Sequence, residues 1–576
     1  MAQSSSTVAA RLRANGAVER LRVTPRAAPI VLGGLMVVCA ALLLYAGRGF
    51  IFYYDEWAFV INRRGWTVDT FLFPHNEHIS ALPIAVYKLL FATAGLDHYW
   101  VYRVVLTAFH LVAVGLLYVL VRRRVGSWLA VAFVTPVLFL GSAWENILWP
   151  FQIGLIGSVV FGLAMLLALE RGDRTGNALA CVCLVLSLSS SSVGLSFIVA
   201  ALVEIVLRER DWRRLWVPLV PALLYAVWWV QYAPSELQGG GSPTRNILEV
   251  PAYVAESAAG ALGGLTSLGT EWGRPLALLV AVLVVRFAPW GTGVTARFWA
   301  VLATMLASWS LSAIGRAQLD QPAASRYIYT GAILIVMLGT ELARDARPSR
   351  RAGIVLTLAV CAAAVGNIGE LRAGRAHLLP ISNYVQSSLA ALELAGPSVQ
   401  REFRPEPIRA PNIYAGDYFD AVRQYGSPAE SIAAMKQEEE VYRQAADATL
   451  VGAFQVTSKP GDEQIAGGPP LGIDEPHWGT TSADGPCLTF TPNNAGAAID
   501  ATVPGPGIVV TSRQSAGSPV QVALRRFGDA FPPPGLLIPG EGTSVLRLPR
   551  GSGADDRPWH VRLFATAPLR VCSLAR

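Results

Sequence analysis

Long apolar runs fill the first 370 residues of the chain and limit its fold more than any other feature. A segment needs about 20 mostly apolar residues to cross the hydrocarbon core of a bilayer, and runs close to that length recur from residue 30 to residue 368. Only 15% of the 576 residues are charged, against roughly 25% in a typical soluble domain. The chain is therefore not a wholly soluble protein.

The apolar runs predict an α-helical polytopic membrane protein with about eleven transmembrane helices. Two further stretches, residues 79–96 and 250–268, are short or weakly apolar and are predicted to form interfacial or re-entrant helices. If only one of these two crosses, the C-terminal part changes sides. The predicted spans are residues 30–47, 101–121, 127–143, 151–170, 177–191, 193–208, 215–232, 274–289, 297–314, 327–343 and 352–368.

Arginine residues predict which side of the membrane each end occupies. The tail of residues 1–29 is basic and too polar for a signal peptide, so it is predicted to be cytoplasmic. Further arginine clusters occupy every second loop, as the positive-inside rule requires. The formal net charge of +7 then reports topology rather than nucleic-acid binding. Because an odd number of spans that starts inside ends outside, residues 371–576 are predicted to be extracytoplasmic at the plasma membrane.

The C-terminal third reads as ordinary globular sequence. Residues 371–484 are predicted to form a helical and loop connector, and residues 485–576 a β-sandwich, because short alternating runs there are separated by Gly, Pro, Asn and Asp turns. Cys487 and Cys572 lie in the first and last of these runs, and they suit one disulfide in an oxidising compartment. The runs are residues 487–490, 498–503, 507–512, 520–525, 544–548, 560–563 and 569–572.

An acidic pair, Asp55 and Glu56, follows the first predicted span and is flanked by Tyr53, Tyr54 and Trp57. Adjacent carboxylates in an outer loop suit a general base or oxygen ligands for a divalent cation. A charge pair at a helix N-terminus is the structural alternative. The three aromatic residues fit either an interfacial belt or the wall of a sugar site.

A second polar group, His75, Asn76, Glu77 and His78, follows in the same outer loop. These side chains offer directional donors and acceptors, so we predict that they bind hydroxyl or phosphate groups. Metal ligation by the histidines is disfavoured because the spacing lacks a helical i, i+4 pair and no third histidine follows nearby. A polar loop that only packs on its neighbours is the alternative interpretation.

The next outer loop carries Trp144, Glu145 and Gln152. We predict that these residues contribute to substrate binding, because polar groups are expensive near a bilayer and those clustered in outer loops are the informative ones. The serine-rich run from Ser187 to Ser192 is instead attributed to close helix packing.

The last outer loop contains Arg316, Arg326 and Tyr327. Two arginines on the outer side contradict the positive-inside rule and need a partner. An arginine fork matches the oxygens of a phosphate, so a lipid phosphate is the predicted ligand. Pairing with Asp320 or Glu145, or with anionic lipid headgroups, is the alternative.

With these residues the chain resembles the GT-C superfamily of polyprenyl-phosphate-dependent glycosyltransferases. That superfamily includes protein mannosyltransferases, aminoarabinose transferases of lipid A and mycobacterial arabinofuranosyltransferases. The resemblance rests on the acidic pair of the first outer loop, the predicted spans and a soluble C-terminal domain. The stretches YYDEW, PHNEH, WENILWPFQ and SRY are similar to uncharacterised membrane proteins of actinobacteria, and the scarcity of Lys relative to Arg also indicates such a source.

The resemblance implies a GT-C-like fold and a transferase of EC class 2.4 that moves a sugar from a polyprenyl-phosphate donor to a glycan or lipid acceptor of the cell envelope. Asp55 matches the family's first-loop acid, the base that deprotonates the acceptor. Some members bind a divalent cation (Mg, Mn or Ca) through a second acidic motif that is not recognisable here, so no metal ligand is assigned. The β-rich region resembles carbohydrate-binding modules in type.

Two other functions remain open from the sequence. A transporter or flippase of lipid-linked sugars would use the same groups to bind and release cargo, but transporters tend to carry internal repeats and charges at the bilayer midplane. A non-catalytic envelope protein that binds glycan would leave the acidic pair unexplained. The sequence contains no phosphate-binding glycine loop or metalloprotease motif in a suitable context, so nucleotide-driven chemistry is not predicted.

Overall fold

The computed structural model divides the chain into two compact units. Unit 1 comprises Met1–Arg48, Gly65–Leu89 and Trp100–His377, and unit 2 comprises Gly49–Arg64, Leu90–Tyr99 and Leu378–Arg576. Most of the predicted cytoplasmic tail lies outside the described residues, as does Glu77. The structure describes residues 27–76, 78–208, 211–232, 243–287, 294–344, 346–454, 458–460, 467–515, 517–548 and 557–575.

Apolar sequence folds as helix up to residue 395, because a helix satisfies every backbone polar group internally where water is excluded. A helix forms at each of the predicted spans. The helices are α1 (Ala27–Ala46), α2 (Asp55–Asn62), α3 (Val68–Leu72), α4 (Ala81–Ala94), α5 (Tyr99–Val125), α6 (Ser127–Leu138), α7 (Trp144–Leu148), α8 (Ile153–Leu169), α9 (Arg174–Ser190), α10 (Gly194–Arg208), α11 (Trp216–Tyr232), α12 (Pro243–Thr266), α13 (Gly269–Phe287), α14 (Ala296–Arg316), α15 (Ser325–Leu342) and α16 (Arg350–Ala395).

The predicted number of about eleven spans is not confirmed. In the part of the chain that the structure describes, six helices are long and apolar enough to cross a membrane, or up to eight if each of two bent pairs counts as one span. Helices α9 and α10 contain 17 and 15 residues, fewer than the roughly 20 residues of a typical span. The six are Ala27–Ala46, Tyr99–Val125, Pro150–Leu169, Trp212–Tyr232, Ala296–Leu319 and Arg350–Ala395.

Helices α12 and α13 form one of the bent pairs, with an angle of 108° between them. A Cβ atom on Gly273 would lie 1.9 Å from the carbonyl oxygen of Ala259, so the two arms pack backbone against backbone and require glycine there. The stretch 250–268, predicted to be interfacial or re-entrant, belongs to the first arm of this bend. The stretch 79–96 contains only the 14-residue helix α4.

Charged side chains join five helices of unit 1 at one end, and we call them the end cluster (Arg124, Glu170, Glu204, Arg297 and Glu341). Arg297 Nε lies 2.7 Å from Glu204 Oε2, and both side chains are about 95% buried, with exposures of 5% and 4%. Arg124 Nε lies 2.8 Å from Glu341 Oε1 and its Nη2 lies 3.2 Å from Glu170 Oε1. These ion pairs connect the ends of helices whose remaining sequence is mostly apolar.

Unit 2 contains a β-sandwich of two antiparallel sheets, preceded by short helices. One sheet has the strand order β1-β9-β6-β11-β4-β3 and the other β2-β5-β10-β7-β8. The elements are α17 (Ala415–Tyr425), α18 (Ile432–Met435), α19 (Glu440–Ala453), β1 (Ser458–Pro460), β2 (Gly472–His477), β3 (Gly479–Asp484), β4 (Cys487–Pro492), β5 (Ala498–Val503), β6 (Gly507–Arg513), β7 (Val520–Arg525), β8 (Leu536–Ile538), β9 (Glu541–Arg547), β10 (Trp559–Phe564) and β11 (Leu569–Ser573).

The predicted architecture, helices with apolar runs followed by a β-sandwich, is confirmed. Six of the seven predicted runs lie within a strand, and the run 544–548 extends one residue beyond β9. The sandwich nevertheless begins before residue 485, because β1, β2 and β3 belong to its sheets. Strands β2 and β3 carry the sequences GIDEPH and GTTSAD and are mostly exposed. They lack the apolar alternation that reveals a strand in a sequence. The sequence prediction therefore assigned these strands to the connector of residues 371–484.

A disulfide joins Cys487 of β4 to Cys572 of β11, which confirms the predicted pairing. The two residues are direct cross-strand partners in one sheet. The bond thus links neighbouring strands that are 85 residues apart in the sequence, and it belongs to the buried core with Val509 and Leu574.

Removing this bond is expected to destabilise the sandwich. We expect the double variant Cys487→Ser/Cys572→Ser to lose about 2–4 kcal/mol of unfolding free energy, because the bond restricts the unfolded chain over a long loop. Thermal unfolding in detergent measures the loss, and non-reducing peptide mapping of the native protein should recover the linked pair. Cys361→Ser, which removes an exposed free thiol, is the matched control; equal melting of both variants would contradict a structural role for the bond.

Candidate functional site

A tight turn shapes the loop from Pro74 to His78 in unit 1. The N–H of His75 donates to the carbonyl of His78 at 2.9 Å, and the N–H of His78 donates back at 3.0 Å. Asn76 adopts a left-handed conformation with φ +48°, which asparagine tolerates better than most residues. The His75 ring packs edge-on against Phe151, with ring centroids 5.4 Å apart. The two backbone hydrogen bonds and the ring contact with Phe151 therefore fix the conformation of the loop.

His78 contacts Arg316 and a serine from a third segment of the chain. Arg316 Nη2 lies 3.2 Å from His78 Nε2, and His78 Nδ1 lies 2.6 Å from Ser192 Oγ. Burial, the charge of Arg316 and the neighbouring His75 lower the pKa of His78 to about 3, so the ring is neutral near neutral pH. Because a guanidinium can only donate, Nε2 accepts and Nδ1 donates to the serine.

Arg316, the last residue of α14, also reaches across the connection to α15. Its Nη1 donates to Tyr327 Oη at 3.3 Å, and its Nη2 donates to the carbonyl of Asn76 at 3.4 Å. We call Asn76, His78, Ser192, Arg316 and Tyr327 the loop cluster. Within the described part of the chain, no carboxylate pairs with Arg316, and its described hydrogen-bond partners are all neutral.

Tyr253 of α12 points its phenol toward the same place. The residue is 6% exposed and packs with Ala313 and Ala317. The guanidinium groups of Arg316 and Arg326 and the phenol of Tyr327 all act electrostatically on it. Its Oη has no hydrogen-bond partner among the residues described. A buried hydroxyl without a partner is costly, and a ligand oxygen beside the two arginines would satisfy it.

Arg326 is held differently, by a reciprocal cap between α7 and α15. Glu145 accepts from the Arg326 backbone N–H at 2.9 Å and from Arg326 Nη1 at 3.3 Å, while the Glu145 N–H donates to Ser325 Oγ at 3.1 Å. Pairing with Glu145 was one of the alternatives for this arginine. The remaining Nη2 donates to Gln321 Oε1 at 3.1 Å, on the exposed side.

The other two predicted residues of the second outer loop pack elsewhere. The Trp144 ring lies 5.3 Å from the His377 ring. Gln152 is buried, with its Oε1 3.5 Å from Asn146 Nδ2. Neither side chain has a described contact with the loop cluster.

The predicted acidic pair belongs to unit 2, where its two members differ. Glu56 is fully buried and accepts from the Tyr53 N–H and from Tyr99 Oη, both at 2.9 Å. Asp55 is the first residue of α2 and is partly exposed. Tyr54 before it has a strained φ of +45°. Glu56 therefore holds the turn in shape, whereas Asp55 keeps contact with solvent.

The loop cluster offers cationic and hydroxyl donors and one neutral imidazole, a set that suits a phosphate better than a metal ion. Among the described residues no group of three or more His, Cys, Asp or Glu could hold a metal ion. Sequence reasoning missed Ser192 and Tyr253, because both lie beside or within apolar helices and reach the cluster only through tertiary packing.

Comparisons with known proteins give a distant likeness among solved structures. No protein-family model matches the chain, and no curated protein matches it. Among solved structures, the chain is similar to ArnT from Cupriavidus metallidurans bound to undecaprenyl phosphate, with 14% identity and a TM-score of 0.40 over 64% of this chain and 81% of that chain. Identity and TM-score of this size do not transfer a function or a set of site residues.

Proposed function

We propose that the protein is a membrane glycosyltransferase that uses a polyprenyl-phosphate-linked sugar, and that the loop cluster binds the donor's phosphate. The observation that carries the proposal is Arg316, a cation at the end of an apolar helix that has no described carboxylate partner and lies next to the orphaned hydroxyl of Tyr253. The proposed location is the plasma membrane, with the N-terminus in the cytoplasm.

The length of α14 supports a position at a membrane surface. Arg297 near its beginning and Arg316 at its end are 19 residues apart, which corresponds to about 28 Å of helix rise. That length is close to the roughly 30 Å hydrocarbon core of a bilayer. The loop cluster and the end cluster would thus occupy opposite surfaces, and a lipid phosphate bound at Arg316 could keep its prenyl chain among the apolar helices.

The chemistry of transfer explains why a cation is needed there. An acceptor hydroxyl attacks the anomeric carbon, the bond from that carbon to the phosphate oxygen breaks, and the polyprenyl phosphate leaves with the bonding electron pair. Its phosphate therefore gains negative charge as the bond breaks. A guanidinium that contacts those oxygens stabilises the transition state more than the bound donor, which raises the rate.

The acceptor must lose its proton in the same reaction. We assign this role to Asp55, whose carboxylate is partly exposed, and we treat the buried Glu56 as a positioning residue. No step is assigned to a metal ion, since the described residues present no ligand set for one. The identity of the sugar and of the envelope acceptor is not part of the proposal.

The disulfide supports an extracytoplasmic location for the sandwich. Structural disulfides persist in oxidising compartments and are rare in the cytosol, and Cys487 and Cys572 form a bond inside the core of unit 2. With a cytoplasmic N-terminus, an outward-facing C-terminal domain requires an odd number of spans.

Substituting Arg316 should weaken binding of the lipid phosphate. We expect Arg316→Ala to raise the Kd for undecaprenyl phosphate by about 10- to 100-fold, the effect of losing a hydrogen bond to a charged group. Arg316→Lys should recover only part of the loss, because an ammonium cannot reproduce the two-donor fork. Native mass spectrometry or competition with a fluorescent lipid phosphate measures both.

A matched control for this experiment is Arg274→Ala. Arg274 is exposed and its Nε lies 2.8 Å from Glu256 Oε1, so its loss should leave lipid-phosphate binding unchanged. If Arg316→Ala binds the lipid as tightly as the native protein, the assignment of the phosphate site is refuted. Arg316 would then only anchor the loop between His75 and His78.

A further inference from the structure

The β-sandwich carries a second feature that the transfer reaction does not use, a cavity of about 480 Å³ lined by Trp478, Arg562, Phe564 and neighbouring residues. It opens on the outer face of the five-stranded sheet. On β5 and β10, the residues on the opposite face, among them Ile499, Val561 and Leu563, are buried in the core. The inner face of this sheet therefore belongs to the core, whereas the outer face is polar.

Trp478 is unusual in both its backbone and its exposure. It is the single residue between β2 of one sheet and β3 of the other, its φ is +53°, and 63% of its surface is exposed. A bulky residue in the left-handed region is an outlier. A Cβ on Gly496 would lie 3.2 Å from the indole, so the ring rests on a glycine. A large ring held outward by strained backbone indicates a ligand contact.

Beside the ring, polar side chains hold one another in place. Arg562 donates from Nε and Nη2 to the two oxygens of Asp500, both at 2.7 Å, and its guanidinium stacks over Phe531 at 4.6 Å. His477 Nε2 lies 3.3 Å from the Asp500 carboxylate. Burial opposes ionisation of Asp500, but the hydrogen bonds from Arg562 and His477 outweigh it and lower its pKa, so the pair is ionised and carries no net charge.

The polar face continues along the same strands. Two residues further along β5 and β10, Thr502 and His560 are cross-strand partners. Asp474 accepts from Thr502 Oγ1 at 2.8 Å and lies 3.1 Å from His560 Nδ1. Since a strand rises about 3.4 Å per residue, the second polar set lies roughly 7 Å beyond the first. The face therefore presents hydroxyl-binding groups over a length that exceeds one sugar ring.

We propose that this face binds a neutral oligosaccharide, with the Trp478 indole stacked on one sugar ring and Asp500, Arg562 and His477 bonded to its hydroxyls. The apolar side of a sugar ring suits an aromatic surface, and planar carboxylate and guanidinium groups suit pairs of adjacent hydroxyls. A phosphate or another anion is disfavoured because Asp500 balances the only arginine in contact with it among the described residues. The proposal is independent of the loop cluster and of transfer.

The test measures binding of full-length protein in detergent to three soluble neutral polysaccharides (mannan, dextran and arabinogalactan) by affinity electrophoresis. We expect retardation by at least one of them, a loss of affinity of at least about tenfold in Trp478→Ala, and partial retention in Trp478→Phe. Leu537→Ala is the control, because Leu537 is an exposed apolar residue of the same sheet, 61% exposed. Thermal unfolding should be unchanged in all three variants.

Three results would overturn the proposal. They are no retardation of the native protein by any of the three polysaccharides, equal retardation of Trp478→Ala and Leu537→Ala, and binding only to the anionic polygalacturonate in a salt-sensitive manner. Binding of undecaprenyl phosphate is measured on the same samples. It should be unaffected by Trp478→Ala, so a failure of the glycan site and a failure of the proposed transferase remain distinguishable.

Discussion

Asp55→Asn is expected to lower the rate of sugar transfer by about 10²-fold or more, the usual contribution of a general base. The amide keeps the shape of the carboxylate but removes its charge and nearly all its basicity, so folding and donor binding should be preserved. An assay with a polyprenyl-phosphate sugar donor and an envelope glycan acceptor measures the rate. Binding of undecaprenyl phosphate to the same variant checks that the lipid-phosphate site is intact.

Two further variants separate the possible roles of the acidic pair. Asp69→Asn is the matched control, since Asp69 is a carboxylate in the short helix α3 whose contact is with Tyr232, and it should transfer normally. Glu56→Gln should reduce transfer less than Asp55→Asn but lower the melting temperature, because the buried Glu56 accepts two hydrogen bonds. Transfer at the native rate by Asp55→Asn would refute the assignment, and rescue of that variant by Mn²⁺ or Mg²⁺ would make Asp55 a metal ligand instead.

Arg297→Met is expected to have the largest effect on stability. The substitution leaves the carboxylate of Glu204 buried without its closest cation, and breaking one side of a buried ion pair costs about 3–5 kcal/mol. Thermal unfolding in detergent should show a clearly lower midpoint. The double variant Arg297→Met/Glu204→Leu should recover much of the loss, because it removes the unpaired charge as well.

The exposed pair of Arg171 and Asp173 provides the comparison for this network. Both side chains are 52% exposed, so Arg171→Met should change the midpoint little, as is common for surface ion pairs. If Arg297→Met unfolds at the same temperature as Arg171→Met, the end cluster does not hold the helices together.

Much of the fold follows from the sequence because segments in an apolar environment and segments in water differ in their patterns of apolar and polar residues. Apolar runs predicted the positions of most helices of unit 1, although α16 continues to Ala395, well beyond its predicted span of residues 352–368. Alternation predicted strands such as β5 and β6. The number of spans did not follow in the same way. Bends such as that between α12 and α13 depend on a close backbone contact at a glycine, which no local pattern reveals. Helices α9 and α10 are too short to be counted by length.

The candidate site was only partly predictable for a related reason. Polar residues between apolar runs mark loops in the sequence, so Asn76, His78 and Arg316 could be selected as candidates. The structure brings these three residues together. Glu145 could also be selected, but its task as a helix cap depends on the position of Ser325. Tyr253 lies in a weakly apolar helix and gave no signal, because its place beside the arginines results from tertiary packing.

The two charged clusters at the ends of α14 have a mechanical consequence. A helix with arginine at both ends and an apolar stretch of about 28 Å between them acts as a gauge of bilayer thickness. A thicker membrane would pull one arginine into hydrocarbon unless the lipids thin locally, and a thinner one would force the helix to tilt. Tilt at the Arg316 end would shift the guanidinium relative to His78 and Tyr327. Lipid composition would then change the geometry of the phosphate site through the tilt of the helix rather than through direct contact.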